Sequence, residues 1–180
     1  MTKKPKTYKV RIRCEYGDPS KPNFPAMVVP ANLDGILSAP LAKQVLEFTG
    51  DDLKKAVRNV ALSYRGKIDV GDSFITEAFR MRRRGVKKII HAVITDHPGG
   101  FVTLNSVDRS IRSALRQSVE NGIDQLAIPG LGIASGRLDG CSVASIIAPI
   151  AREYCNRVEI KIVDDNKEFI DAIKSLLSKD

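Results

Sequence analysis

Two polar side chains, each placed just past a short apolar run, are the residues of this chain best spaced for chemistry. Gly17-Asp18-Pro19-Ser20 sets a carboxylate behind one alternating segment, and Ala26-Met27-Val28-Val29 followed by Pro30-Ala31-Asn32 sets an amide behind the next. If both runs are strands of one parallel sheet, Asp18 and Asn32 come to the same edge, where α/β proteins bind ligands. Each also has a local use: aspartate in Gly-Asp-Pro-Ser suits a surface turn, and asparagine after a strand suits a turn or helix cap.

Other chemistry is sparse. His91 sits inside an apolar run and reads as a core histidine, while His97 precedes Pro98-Gly99-Gly100 in a loop. No Ser/His/Asp order, metal-ligand spacing or P-loop occurs, so neither a metal nor a cofactor is expected. Cys14, Cys141 and Cys155 are odd in number and lack the paired short spacings of a zinc site. They fit reduced thiols in a cytoplasm. Arg80, Arg82, Arg83, Arg84, Lys87 and Lys88 form the densest basic segment. It reads either as a solvated turn or as a contact for RNA or DNA phosphates, with little base stacking because Phe79 is the lone aromatic within it.

The elements that must hold these residues follow from periodicity. Tyr8 to Glu15 alternates with Tyr8, Val10, Ile12 and Cys14 on one face, which predicts an outer strand. Ala26 to Val29 is apolar on both faces, as a central strand should be, and Pro30 is expected to end its pairing. Asp51-Asp52 predicts the cap of a helix with Leu53, Val57, Val60, Ala61 and Tyr64 inward, closed by Gly66. Ser73 to Thr76, Lys88 to Ile94, Gln125 to Ile128 and Val158 to Val163 read as further strands. Helices are predicted from about Ser106 to Asn121, from Ser142 to Tyr154, and around Phe169 to Leu177. The first turns Val107, Ile111, Ala114, Leu115, Ser118 and Val119 inward and Arg109, Arg112 and Arg116 outward; Pro149 should kink or break the second. Alternating strands and helices imply right-handed crossovers, hence a three-layer α/β/α sandwich around a mostly parallel mixed sheet.

With 180 residues, 43% of them hydrophobic, the chain can bury one sizeable core. One domain over residues 1–180 is expected, with 1–6 a flexible basic N-terminus. Nothing approaches the ~18 apolar residues of a membrane span. The net charge of +8 favours polyanionic or phosphorylated partners.

The segment Gly17 to Gly50 resembles the macrodomain family, whose members bind ADP-ribose and whose pattern of G-D-I-T, D-A-I-V-N-A-A-N and a glycine-rich loop lies over it without a gap. Gly71-Asp72-Ser73-Phe74-Ile75-Thr76, Ile89-Ile90-His91-Ala92, Thr103 to Leu115 and Ile128-Pro129-Gly130-Leu131-Gly132 extend the likeness from about Tyr8 to the C-terminus. The resemblance implies that Asp18 accepts from the adenine amino group and that Asn32 lies beside the distal ribose, where an amide can both donate and accept. It also implies that Gly132, Ile133, Ala134, Ser135, Gly136 and Arg137 form a phosphate-facing loop, followed by a helix start at about Leu138-Asp139 whose N–H groups favour an anion.

Several positions depart from the family pattern. Pro19 lacks an N–H that relatives offer to adenine, Val29 replaces the first Asn of the motif, and Val163 replaces a stacking aromatic. Ser38-Ala39-Pro40-Leu41-Ala42-Lys43 replaces the glycine-rich loop, with Ala42 where hydrolytic relatives carry an aspartate. Lys43 and Arg137 either bind phosphate or fill the cleft. The expected function is weak binding of ADP-ribose or a related phosphorylated nucleotide. The alternatives are a hydrolase of ADP-ribosyl or O-acetyl-ADP-ribose bonds and a basic nucleic-acid-binding module on this fold.

Overall fold

A computed structural model describes residues 12–135 and 137–179. Six strands, β1 Ile12–Tyr16, β2 Ala26–Asn32, β3 Ser73–Glu77, β4 Lys88–Thr95, β5 Gln125–Ile128 and β6 Glu159–Asp164, form one sheet. Their order is β1-β6-β5-β2-β4-β3, parallel throughout except for β3, which runs antiparallel to β4. Five helices cover it: α1 Pro40–Thr49, α2 Asp51–Ser63, α3 Leu104–Glu120, α4 Gly140–Tyr154 and α5 Lys167–Leu177.

Alternation along the central strands divides the core in two. Val28, Ile90, Ala92, Leu126, Ile128, Ile160 and Ile162 pack against α3, α4 and α5, while Met27, Val29, Ile89, Val93 and Val163 pack against α1 and α2. Both faces of the sheet are therefore dry, as a parallel sheet requires. The expected three-layer sandwich and mixed sheet are what the chain forms. The predicted outer strand is an edge strand, β1, although Tyr8 and Val10 lie outside the described residues.

Several boundaries differ from expectation. Pro30 does not end β2 but pairs in register with Ala92 of β4. It is tolerated because β2 meets β5 only at Met27↔Ala127, so the ladder on that side has already lapsed. Pro40 opens a helix, α1, that periodicity did not reveal. Asp51 and Asp52 make no side-chain cap; Gly50 is the N-cap and the two carboxylates sit in the first turn of α2, where they complement the dipole. That helix ends at Ser63 with Tyr64 as its cap, so Gly66, at φ +75°, belongs to the following turn. Its buried stripe is Leu53, Val57 and Ala61; Tyr64 is exposed, as is Val119 on α3. Helix α4 begins at Gly140 and runs unbroken through Pro149, which lies on its exposed side, where water can take the carbonyl left unpaired.

Candidate functional site

The sheet opens where β2 and β5 part. These neighbours are joined at one register position and connect in the chain to strands on opposite sides, so the crevice at their carboxyl ends is the topological switch point. Two adjoining chambers fill it, of about 90 and 190 Å³. Pro30, Ala39, Pro40, Ile94 and Ser135 line both and form the waist between them. Pro19, Leu41, Gln44, Pro129, Gly130, Leu131, Gly132, Ala134, Asp164 and Asp165 complete the first chamber. Ala31, Asn32, Ser38, Thr95, Gly99, Gly100, Val102 and Arg137 complete the second.

One rim is tied down by Asn32, which is 3% exposed at the end of β2. Its Oδ1 accepts from Ile36 N at 3.1 Å, while Nδ2 donates to the Ile36 carbonyl at 2.7 Å and Ser38 Oγ at 3.4 Å. The amide thus moulds the loop between β2 and α1. Gly35 lets that loop lie on α2: it adopts φ +66°, and a Cβ there would come within 2.7 Å of the Ala61 Cβ. Helix α1 then begins at the waist with no side-chain cap and no acidic residue in its first turn. Pro40 at its first position carries no N–H, so Leu41 N and Ala42 N are the helical donors left for an anion.

The opposite rim winds around Gly132, at φ +82°, whose carbonyl accepts from Arg137 N, Leu138 N and Ser135 Oγ at 3.2 to 3.3 Å. Ile133 is buried beneath this loop, and Ala134 and Ser135 are exposed on it; Gly136 lies outside the described residues. Arg137 Nη2 donates to the Gly99 carbonyl at 3.1 Å and so spans the mouth of the second chamber. The helix start expected at Leu138-Asp139 does not supply an open anion site. Asp139 is itself the N-cap of α4, its Oδ1 accepting from Ser142 N at 2.8 Å, so a carboxylate already holds that terminus.

At the far end of the first chamber, Asp18 is in an exposed turn: Oδ1 accepts from Ser20 N at 2.9 Å and Oδ2 lies 3.3 Å from Lys21 Nζ. Its neighbour Pro19 lines the chamber, whereas Asp18 itself does not. Asp164, buried at the end of β6, accepts from Gly130 N and Asn166 N, both at 2.9 Å, and joins the two loops across the sheet. Burial pushes its carboxyl above the usual range despite those two N–H groups. Val163 is in the core, so Asp164 and Asp165 are what the chain presents at this end.

The structure therefore gathers Asn32, Gly132, Ala134, Ser135 and Arg137 around one cleft and leaves Lys43 outside it, exposed on α1. Gln44, itself exposed, lines the first chamber instead, along with Asp164 and Asp165. Sequence reasoning missed all three. Pro40, Leu41 and Gln44 share one helical face by their spacing, a signal readable only once α1 is known to begin at Pro40. Ala42 is fully buried in the core rather than open to the cleft. His91 is buried as expected of a core histidine, stacked on Phe74 with centroids 4.8 Å apart and Nε2 2.9 Å from Thr76 Oγ1. His97 pairs with Asp96 on the exposed loop.

The basic segment forms a 3-10 helix, Phe79–Arg84, after β3. Lys88 foremost, and Arg82 with it, pair with Glu77 and lower its carboxyl pKa, and Arg84 lies over the Phe48 ring, 3.2 Å from its centroid. The Arg80 guanidinium reaches the α1–α2 junction beside Gly50, while Arg83 and Lys87 are exposed. Among the described residues no cluster of His, Cys, Asp and Glu could hold a metal, and no helix is long and apolar enough to cross a membrane.

A mixed sheet covered on both faces, with a cleft at its switch point, defines a three-layer α/β/α domain. The Macro domain profile matches residues 28–147, two-thirds of the chain, and the chain belongs to the macrodomain family. It is similar to an uncharacterized protein of Aquifex aeolicus, 23% identical over 168 residues, 92% of this chain and 97% of that protein. Among solved structures, the macrodomain of Mycobacterium tuberculosis DarG aligns with a TM-score of 0.73 at 23% identity, over 84% of this chain and 96% of that one. A mutant Oceanobacillus iheyensis macrodomain with ADPR aligns with a TM-score of 0.77 at 17% identity, over 92% and 89% of the two chains. These likenesses establish the fold.

Proposed function

We propose that the two-chambered cleft binds ADP-ribose or a related phosphorylated nucleotide, and binds it weakly. The cleft at the parting of β2 and β5 carries this reading, and a fold neighbour solved with ADPR supports it. The base enters the first chamber beside Pro19, with Asp18 in the adjoining turn. Phosphate lies at the waist, between the uncapped start of α1 and the loop from Gly132 to Arg137, where Arg137 can exchange the Gly99 carbonyl for an anion. The distal ribose reaches Asn32 and Ser38 in the second chamber.

Weakness follows from what has been removed. Pro19 has no N–H to give, Val29 is a core residue, and Ala39-Pro40 keeps a diphosphate from the close backbone approach that glycines allow. Losing two hydrogen bonds at ~1 kcal/mol each weakens binding about thirtyfold. The chambers are also small beside the roughly 300–1,000 Å³ of ordinary ligand pockets, so part of the ligand stays in solvent. The second chamber, where the distal ribose would lie, is lined by no carboxylate or histidine among the described residues, and Asp164 and Asp165 stand in the first chamber, which favours binding over hydrolysis. Calorimetric titration should give a Kd for ADP-ribose of about 10 µM to 1 mM. Asp18→Ala should weaken ADP-ribose more than ribose 5-phosphate; equal losses would remove Asp18 from the base end.

A further inference from the structure

Around Asp18 and Asp164, the base end of the cleft is poor in open backbone donors. Pro19 and Pro129 carry no N–H, and four N–H groups around Asp18 and Asp164 are already spent. Ser20 N donates to Asp18 Oδ1, Gly130 N to Asp164 Oδ2, Asn166 N to Asp164 Oδ1 and Gly17 N to the Asp164 carbonyl, all between 2.9 and 3.0 Å. Acceptors are in better supply. Asp165 lines the chamber and is exposed, and among the described residues no hydrogen bond or ion pair engages its carboxylate. On the α1 wall, Gln44 contributes an amide.

This arrangement discriminates between purines by their edges. Adenine sets an acceptor, N1, beside its amino donor, so it needs an N–H next to an acceptor from the protein. Guanine sets two donors, N1–H and the 2-amino group, side by side, and one carboxylate takes both in a bidentate pair. Guanine O6, next in line, then needs the single donor that an amide such as Gln44 provides. The ring faces meet the same apolar walls of Pro19, Pro30, Leu41, Ile94 and Leu131 with either base, so the edge decides.

We propose that the base subsite prefers guanine to adenine, Asp165 receiving the N1–H and 2-amino donors; this rests on the reading of the cleft as a nucleotide site. The test is calorimetric titration of the full chain with GDP, IDP and ADP in one buffer, repeated with Asp165→Asn. GDP is expected to bind at least tenfold more tightly than ADP, with IDP, which keeps N1–H but lacks the 2-amino group, in between. Asp165→Asn, an exposed position, should abolish the advantage of GDP over ADP. ADP binding as well as or better than GDP overturns the base preference and leaves the nucleotide cleft standing. A preference for GDP that survives Asp165→Asn overturns the role of Asp165, and failure of all three nucleotides to bind overturns the cleft reading with it.

Discussion

At the scale of single residues, the polar groups buried in this chain are committed to structure before they are available to a ligand. His91 is held by Phe74 and Thr76, with its Nδ1 buried without a hydrogen-bond partner. Burial lowers its imidazole pKa from 6.5 to about 3, so the unfolded chain takes up the proton first. Its contribution to stability is fully present above about pH 6.5 and is lost as the pH falls towards 3, with about 2 kcal/mol gone by pH 5. Denaturant titrations at pH 7 and 5 should show that loss, and His91→Phe, which keeps a ring against Phe74, should reduce the pH slope by one proton. Ala42 makes the complementary point. An aspartate there would enter the apolar core, not the cleft, and the cost of an unpaired buried carboxylate is about 4 kcal/mol at neutral pH. Ala42→Asp should therefore unfold at far lower denaturant; a soluble, equally stable variant with gained hydrolase activity would contradict the placement of this residue.

At the scale of elements, the rims of the cleft are set by short-range contacts that sequence patterns conceal. Strands β4, β5 and β6 and helices α3 and α5 were legible because long apolar periodicity announces them. Helix α1 was not. Pro40 reads as a breaker by itself, and only its position at the first helical turn, with Asn32 folding the preceding loop, turns it into a start signal. Gly35 is part of the same device, and Gly35→Ala should cost roughly 2 kcal/mol, since it adds strain at a positive φ to a clash with α2. A neutral effect in a thermal melt would mean that the loop can lift from α2. The 3-10 helix repeats the lesson. Its arginines looked alike in the sequence and all are exposed, yet Arg84 lies on Phe48, Arg82 pairs with Glu77 and Arg80 reaches the α1–α2 junction, which leaves Arg83 and Lys87 as the exposed charges that no ion pair or ring contact engages among the described residues. Any affinity for RNA or DNA at this turn rests chiefly on those two. Replacing both by Ser should lower the salt slope of anisotropy titrations by about two; an unchanged slope places such binding elsewhere.

At the scale of the whole molecule, the order of the strands decides where chemistry is possible. Alternation of strand and helix was enough to read the three layers, and the resemblance of the motifs in order was enough to read the family. The site was legible only in part: Asn32 and the loop from Gly132 follow a strand directly, so their edge of the sheet was evident. Gln44, Asp164 and Asp165 depend on an unforeseen helix and on the register of β6 against β1, which no local pattern encodes. All of these residues converge at the gap between β2 and β5, and the central claim is that this gap is the nucleotide site. Ala134, exposed and lining the first chamber, permits a direct test, because Ala134→Trp should fill that chamber without entering the core. Calorimetric titration of ADP-ribose into the two proteins should show a Kd of about 10 µM to 1 mM for the parent chain and no measurable binding for Ala134→Trp. Binding that is unchanged by the tryptophan would place the ligand outside this cleft and contradict the account.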